Sequence, residues 1–321
     1  MPRQHKTFRA IEVGDGTDGR WAAHVQGRWP AAKGWLSEEG RTAAGAARAR
    51  RLFETHLPEL VPVLDRLAGQ MDRAGGETYL THAALRPFFS GCTQAGAPGV
   101  LLRNYDFEPA RCEGTIASSR FLRPVIGTLE EGWGLLDGMN DAGLAVSLTF
   151  GGRYVHGTGF SVLIVLRYLL ETCDTVGEAV AALRGIPVGI PQNITLVDAE
   201  RAVTVYVGPD IPLTEAPDAC AANHQNLPVA EEHERFTRTQ ERLATMRAAV
   251  RAHGVDAAAM LRPPLYQYAY DVGLGTVYTA EYRPAEGRVI HHWPAATWEQ
   301  SFHAFTPGER TVALGEEAAR P

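Results

Sequence analysis

The feature that most constrains this chain is the run from Cys92 to Phe107, CTQAGAPGVLLRNYDF, which reads as two strand-like pieces around Gly96-Ala97-Pro98-Gly99. Turn residues followed by an apolar, strand-forming run mark a hairpin. A turn centred on Ala97-Pro98 sets Cys92 directly opposite Arg103, and cross-strand neighbours are close enough for side chains to interact. A cation beside a thiol favours the thiolate, which is the nucleophilic form. The hairpin therefore reads as a nucleophile with its support.

More strand pairs follow. Residues 133–139 and 144–150 read as strands joined at Asn140-Asp141-Ala142-Gly143, with Gly143 suited to the unusual backbone angles of the turn. Residues 194–197 and 202–207 form a second hairpin around Asp198-Ala199-Glu200-Arg201, and residues 277–282 and 288–293 close the chain across Pro284-Ala285-Glu286-Gly287. Helical spacing appears at 160–172, at 178–184 and at 232–252. The second of these starts at the capping-box side chains of Thr175 and Glu178 and stops at Gly185. Upstream, residues 41–73 carry a helical apolar pattern that Pro58 and Pro62 interrupt, and residues 85–91 lead into the nucleophile. Strand pairs with helices segregated between them predict an α+β fold with antiparallel sheets and helices on the outer layers.

The composition removes several function classes. A chain of 321 residues with 45% hydrophobic and 21% charged residues can bury a sizeable core, and a net charge of -6 argues against a nucleic-acid interface. The basic cluster Arg48-Ala49-Arg50-Arg51 reads as a solvated helix face. No apolar stretch approaches the roughly 20 residues of a membrane helix. The opening MPRQHKTFRAIEVGDG lacks the apolar core of a secretion signal, so a cytoplasmic protein is expected. Cys92, Cys112, Cys173 and Cys220 have neither zinc-type spacing nor the pattern of a disulfide framework, and Cys173 reads as a small buried hydrophobe. His291-His292 shows no ligand spacing, so neither metal nor cofactor is expected. Gly14-Asp15-Gly16-Thr17-Asp18-Gly19 lacks the lysine and the strand-helix context of a phosphate loop and reads as a polar hairpin or loop. The sequence leaves a homo-oligomer open.

Beyond the hairpin, the ordered series Asp137-Gly138-Met139-Asn140-Asp141-Ala142-Gly143-Leu144-Ala145-Val146, Asn193-Ile194-Thr195-Leu196-Val197-Asp198-Ala199, Asn223-His224, Gly275-Thr276-Val277-Tyr278-Thr279-Ala280 and Tyr282-Arg283-Pro284 is similar to a known group. From Cys92 onward the chain resembles the N-terminal-nucleophile (Ntn) hydrolases of linear amides. The penicillin acyltransferase (isopenicillin N acyltransferase) family is the nearest; choloylglycine hydrolases, penicillin V acylases and acid ceramidase are more distant. Residues 1–91 match only loosely.

The resemblance implies a four-layer αββα sandwich over residues 92–321, preceded by a helical N-terminal segment, 1–91, that is a pro-segment or small chain. It implies that Cys92 is the nucleophile and that self-cleavage between Gly91 and Cys92 frees an α-amino group to act as base and then acid. Choloylglycine hydrolases instead lose little more than an initiator methionine. Arg103 and Asp106 carry over as the residues that hold the new amino terminus and tune the thiol. Residues three apart on a strand point to opposite faces, so their meeting requires a twist or bulge, which the resemblance implies. Asn223 carries over as an oxyanion donor through its side-chain amide, with a backbone N–H near Thr149 or Phe150 as the second. A distal arginine of the superfamily corresponds to Arg238 or Arg242, in the run from Arg235 to Arg242; a solvated helix face is the simpler reading of each. His224 is expected to be structural, and Asn140 to fix its hairpin turn.

An amide needs an activated nucleophile, an acid for the departing amine and donors for the oxyanion. This set predicts an amidohydrolase or acyltransferase that passes through an acyl-Cys92 thioester, with no cofactor. Water as acceptor gives hydrolysis and an amine gives a new amide. The partner is a small-molecule amide or acyl thioester, a carrier-bound acyl group included. Recognition is expected in residues 151–159 and 185–191. The alternative is a non-catalytic Ntn-fold binding protein that is never cleaved. A Cys-His thiol protease lacks a papain-like signature around Cys92.

Overall fold

The structure is a computed structural model that describes residues 4–71, 73–87 and 91–315. The N-terminal part holds β1 (Gln4–Gly14), α1 (Arg20–Ala32), α2 (Ala43–His56), α3 (Val61–Ala68) and α4 (Gly76–Leu80). The expected nucleophile opens β2 (Gly91–Ala97), which is followed by β3 (Val100–Asp106), β4 (Thr115–Arg120), β5 (Pro124–Glu130), β6 (Gly134–Asn140) and β7 (Ala145–Phe150). Two helices, α5 (Val162–Thr172) and α6 (Val176–Leu183), precede β8 (Gln192–Val197), β9 (Ala202–Gly208), β10 (Ile211–Glu215) and β11 (Cys220–Ala221). Then come α7 (Glu231–Thr237), α8 (Thr239–His253), α9 (Ala257–Met260), β12 (Tyr268–Ala269), β13 (Leu274–Arg283), β14 (Arg288–Trp293), β15 (Ala296–Ser301) and β16 (Gly308–Leu314).

The strands form two sheets. One has the order β10-β9-β8-β7-β6-β5-β4-β1-β16, and the other the order β11-β2-β3-β13-β14-β15, with β12 added beside β13. The sheets meet face to face where β2 lies over β7 and β8. Gln94 accepts from Ser147 Oγ at 2.6 Å and donates to the Asn193 carbonyl at 3.2 Å. Helices α5 and α6 cover the outer face of the first sheet, while α8 and α9 cover the second. This is the four-layer αββα arrangement expected from the sequence. Because β3 is central and covered on both sides, each of its residues is buried. Charged side chains there must be paired.

Local chemistry explains the boundaries. Ser161 accepts from the Leu163 N–H at the start of α5, and Thr175 accepts from Glu178 N–H at the start of α6. Asn140 accepts from the Ala142 and Leu144 N–H groups and donates to the Leu170 and Cys173 carbonyls, so it fixes its turn and also ties that turn to the end of α5. Gly143 has φ +96, the left-handed region expected of it.

Three expectations need correction. The N-terminal segment is not helical alone, because β1 runs parallel to β4 and antiparallel to β16 inside the first sheet. Its α2 also packs on the catalytic layers, where Phe53 contacts Phe160 and Trp133. The loop at 14–19 does lie between a strand and a helix, but Asp15 and Asp18 fold back onto the N–H groups of Thr17 and Arg20, which puts carboxylates where an anion would sit. The single helix at 232–252 is two helices, broken at Arg238 with φ +50. Of the segment expected to lead into the nucleophile, residues 88–90 lie outside the described residues.

Candidate active site

The hairpin turn sits one step later than its composition suggested, with Gly99 at φ +80. Cys92 therefore pairs with Tyr105, and Arg103 pairs with Gln94. The expected Cys92–Arg103 register is wrong by two residues, yet the two residues remain diagonal neighbours on one face. Arg103 Nη2 donates to Cys92 Sγ at 3.2 Å.

That face looks into the space between the sheets. Arg103 is fully buried; Nε donates to the Leu148 carbonyl at 3.0 Å, and Nη1 donates to Asp137 and, at 3.0 Å, to the Tyr278 hydroxyl oxygen. Asp137 accepts further from the hydroxyls of Tyr278 and Tyr282, each at 2.6 Å, and from Thr128 Oγ1 at 2.8 Å. Burial alone would raise the Asp137 carboxyl, but Arg103 and the two tyrosine hydroxyls outweigh it and hold the group below the usual aspartate range. The same burial disfavours the Arg103 charge, and Cys92, Tyr278 and Asp137 together reverse that and strengthen it.

Asp106 does not join Arg103. The strand keeps its alternation, so Asp106 faces the other way, toward α8, where it accepts from Arg242 Nη1 at 3.0 Å, Gln267 Nε2 at 2.7 Å and Thr276 Oγ1 at 2.7 Å. The bulge that was expected to unite the pair lies instead in the partner strand, between Thr276 and Tyr278 of β13. Burial pushes the Asp106 carboxyl above its ordinary value, against the opposing pull of Arg242.

Arg242 is the residue that the sequence reading undervalued. Its side chain is fully buried, whereas Arg235 and Arg238 are 72% and 51% exposed and pair with Glu231 and Glu241 at the surface. Arg242 Nη1 also donates to the Cys92 carbonyl at 3.0 Å and Thr93 Oγ1 at 2.7 Å, and Nη2 donates to Asn223 Oδ1. A signal was present in the sequence. Thr239, Arg242, Leu243 and Met246 form the buried stripe of α8 at helical spacing, and an arginine in such a stripe is directed inward. Asp137 carries no such signal, since in the sequence it is one residue of the run from Asp137 to Val146.

Asn223 follows β11, the edge strand beside β2. Its Oδ1 accepts from the Cys92 backbone N–H at 2.9 Å, and its Nδ2 lies 3.4 Å from the Phe150 carbonyl. One side-chain amide thus holds the nitrogen of Cys92 and turns its N–H side toward β7. His233 bonds the Asn223 carbonyl at 2.7 Å. His224 bonds Thr239 Oγ1 at 2.8 Å, and burial lowers its basicity. Gly91 leaves little room for a side chain: a Cβ there would lie 3.0 Å from Asp106 Cβ and 3.1 Å from Leu274, so both neighbours would have to give way. Its value is close approach, since its φ is not in the left-handed region.

The two stretches expected to recognise substrate are hydrogen-bonded to each other through Gly157 and Gly189. With Arg48, Leu52 and Leu85 they line a cavity of 680 Å³ whose walls include none of Cys92, Arg103, Asp106 or Asn223. Among the described residues, no three His, Cys, Asp or Glu side chains gather as a metal site, and no helix is long and apolar enough to cross a membrane.

The family model for acyl-coenzyme A:6-aminopenicillanic acid acyl-transferase matches residues 92–297, more than half of the chain, beginning at Cys92. The chain belongs to this family. Membership makes it an Ntn-type acyltransferase or amidohydrolase, and the layers described above are those of that fold. Among solved structures it is similar to a mutant of conjugated bile acid hydrolase from Clostridium perfringens (12% identity, TM-score 0.48, 71% of this chain and 97% of that one). It is also similar to penicillin V acylase from Agrobacterium tumefaciens (14%, 0.44, 69% and 90%) and to the Caenorhabditis elegans ortholog of N-acylethanolamine-hydrolyzing acid amidase (14%, 0.41, 65% and 98%). No curated protein sequence matches it.

Proposed function

We propose that this family member is a cysteine-nucleophile amidohydrolase or acyltransferase that acts on linear amides or acyl thioesters through an acyl-Cys92 intermediate, after self-cleavage between Gly91 and Cys92. The observation that carries the reading is the double anchoring of one residue. Cys92 Sγ receives an N–H from Arg103 while its backbone nitrogen is held by Asn223.

In the maturation step, Sγ attacks the Gly91 carbonyl carbon and the peptide nitrogen leaves with a proton, giving a thioester. Water then hydrolyses the thioester, which leaves a carboxylate on Gly91 and a free α-amino group and thiol on Cys92. In turnover, the α-amino group takes the thiol proton as sulfur attacks the substrate carbonyl, then returns it to the departing amine. The ordinary α-amino value of about 7.7 to 8.0 suits both roles near neutral pH. Asn223 Nδ2 and a backbone N–H near Thr149 or Phe150 receive the oxyanion. Asp106 and Arg242 hold the backbone on which the new amino group forms. Water or an amine, acting on acyl-Cys92, completes hydrolysis or transfer. An acyl group delivered on a carrier fits the same step.

Division into residues 1–91 and 92–321 belongs to this proposal. With β1 between β4 and β16, the two chains remain associated after cleavage. Intact mass of the purified protein tests the whole reading. Two species that meet at Gly91/Cys92 are expected from wild type, and one uncut, inactive species from Cys92→Ala. Wild-type turnover in Cys92→Ala would overturn it.

A further inference from the structure

We propose that Asp137 is a positioning residue for the reaction, acting through Arg103 to aim the guanidinium at the Cys92 sulfur. The inference rests on Cys92 being the nucleophile.

A guanidinium is a rigid planar fork whose donors point in fixed directions. For Arg103, three of those directions are taken up: Nε by the Leu148 carbonyl, Nη1 by Asp137, and Nη2 by Cys92 Sγ. Once the first two are fixed, the third follows. The hydrogen bonds of Asp137 run to Arg103, Tyr278, Tyr282 and Thr128, so its contribution is to define the plane and rotation of the fork. It is itself immobilised, because both carboxylate oxygens receive hydroxyl donors, Oδ2 from Tyr278 and Oδ1 from Tyr282 and Thr128. Thr128 Oγ1 also lies 3.3 Å from His291 Nε2, and burial lowers that histidine to about 4, so it adds no charge at neutral pH. The cluster is shielded from bulk solvent: Arg103, Asp137, Tyr278, Tyr282 and Thr128 are all fully buried.

Positioning and simple counter-charge predict opposite signs, which makes the role measurable. A carboxylate near the sulfur, taken only as a charge, disfavours the thiolate, so its loss would promote thiolate formation. If the carboxylate instead aims the guanidinium, its loss turns the N–H away and thiolate formation becomes harder.

The test is the ultraviolet thiolate titration of full-length protein, taken as the difference between each variant and the same variant carrying Cys92→Ser. It reads the sulfur directly and needs no turnover, so it stays separate from the loss of activity in Cys92→Ala that tests the nucleophile itself. Asp137→Asn is expected to lower the thiolate fraction at a given neutral pH by about tenfold, toward the value for Arg103→Gln. The double variant should match Arg103→Gln alone, as expected of residues acting through one contact. A thiolate fraction that is unchanged or increased in Asp137→Asn would overturn the proposal. Should that variant not fold, Tyr282→Phe removes one donor to Asp137 without touching Arg103, and a smaller decrease of the same sign is expected. A purely structural role would lower the melting temperature of Tyr282→Phe and leave its titration at the wild-type midpoint, which equally counts against positioning.

Discussion

Cys92 lies between two buried arginine–aspartate pairs, and they differ in which of its atoms they serve. The inner pair, Arg103 with Asp137, faces the gap between the sheets and reaches the sulfur. The outer pair, Arg242 with Asp106, faces α8 and reaches the Cys92 carbonyl, Thr93 and, through Asn223, the Cys92 nitrogen. Their electrostatics diverge as well. Asp137 is held below its ordinary value despite burial, while burial raises Asp106 from its own. Three hydroxyls plus Arg103 converge on Asp137, whereas Arg242 divides its donors among Asp106, Asn223, Thr93 and the backbone carbonyls of Cys92 and Thr237. A guanidinium spread over that many acceptors works more as a clamp on the chain than as a counter-ion for one carboxylate.

The largest effect should come from breaking the clamp. Arg242→Met leaves Asp106 buried without its cation, and removing one member of a buried pair costs about 3–5 kcal/mol. Chemical denaturation should register that loss, with activity lost as well because Asn223 and Cys92 lose a shared donor. A variant with wild-type stability and turnover would show that the outer pair does not organise the site.

Next in size is Asn223→Ala. If its amide receives the oxyanion, turnover should fall by about 10²- to 10³-fold, corresponding to about 2.7–4 kcal/mol. A mainly raised KM with kcat intact would place Asn223 in ground-state binding instead.

How far this division could be read from sequence depends on the residue. The β-hairpin with Cys92, the strand pairs around Gly143 and Asp198, and the α6 cap were legible because each rests on local turn or capping chemistry. The register was not. Ala97-Pro98 and Pro98-Gly99 are both acceptable turn centres by composition, and only the sheet in which β2 is embedded selects the second. Alternation along β3 speaks correctly against Arg103 meeting Asp106, and the family resemblance pointed the other way. Their true partners, Asp137 and Arg242, lie 34 and 136 residues away along the chain. Such pairings are set by how the layers stack, which no local pattern encodes. β1 was missed because a strand at a distance from its partners, β4 and β16, has no hairpin to announce it.

Among the smaller effects, Arg103→Gln keeps a polar side chain and removes the cation from the sulfur. Alkylation of Cys92 by iodoacetamide should slow by about tenfold at neutral pH, with the gap closing at high pH where the thiol ionises without help. Rates equal to wild type across the range would remove Arg103 from thiol activation, whatever its 3.2 Å contact with the sulfur.

The smallest and sharpest test compares the two carboxylates by pH, in a Cys92→Ala background that takes the thiol out of the comparison. Asp137 is depressed in the folded state, so its stabilising contribution is complete above the ordinary aspartate value of about 3.9 and disappears as pH falls through the lower folded value. Asp106 is raised, so the folded state takes up its proton more readily than the unfolded state does, and this group alone favours folding progressively as the solution is acidified. Their asparagine variants should therefore tilt the acid limb in opposite directions. Between about pH 6 and about pH 3, urea midpoints should fall less steeply than the parent for Asp137→Asn and more steeply for Asp106→Asn. If both substitutions flatten the limb alike, the two aspartates are tuned the same way, and the contrast between a pair that serves the sulfur and a clamp that serves the backbone loses its electrostatic half.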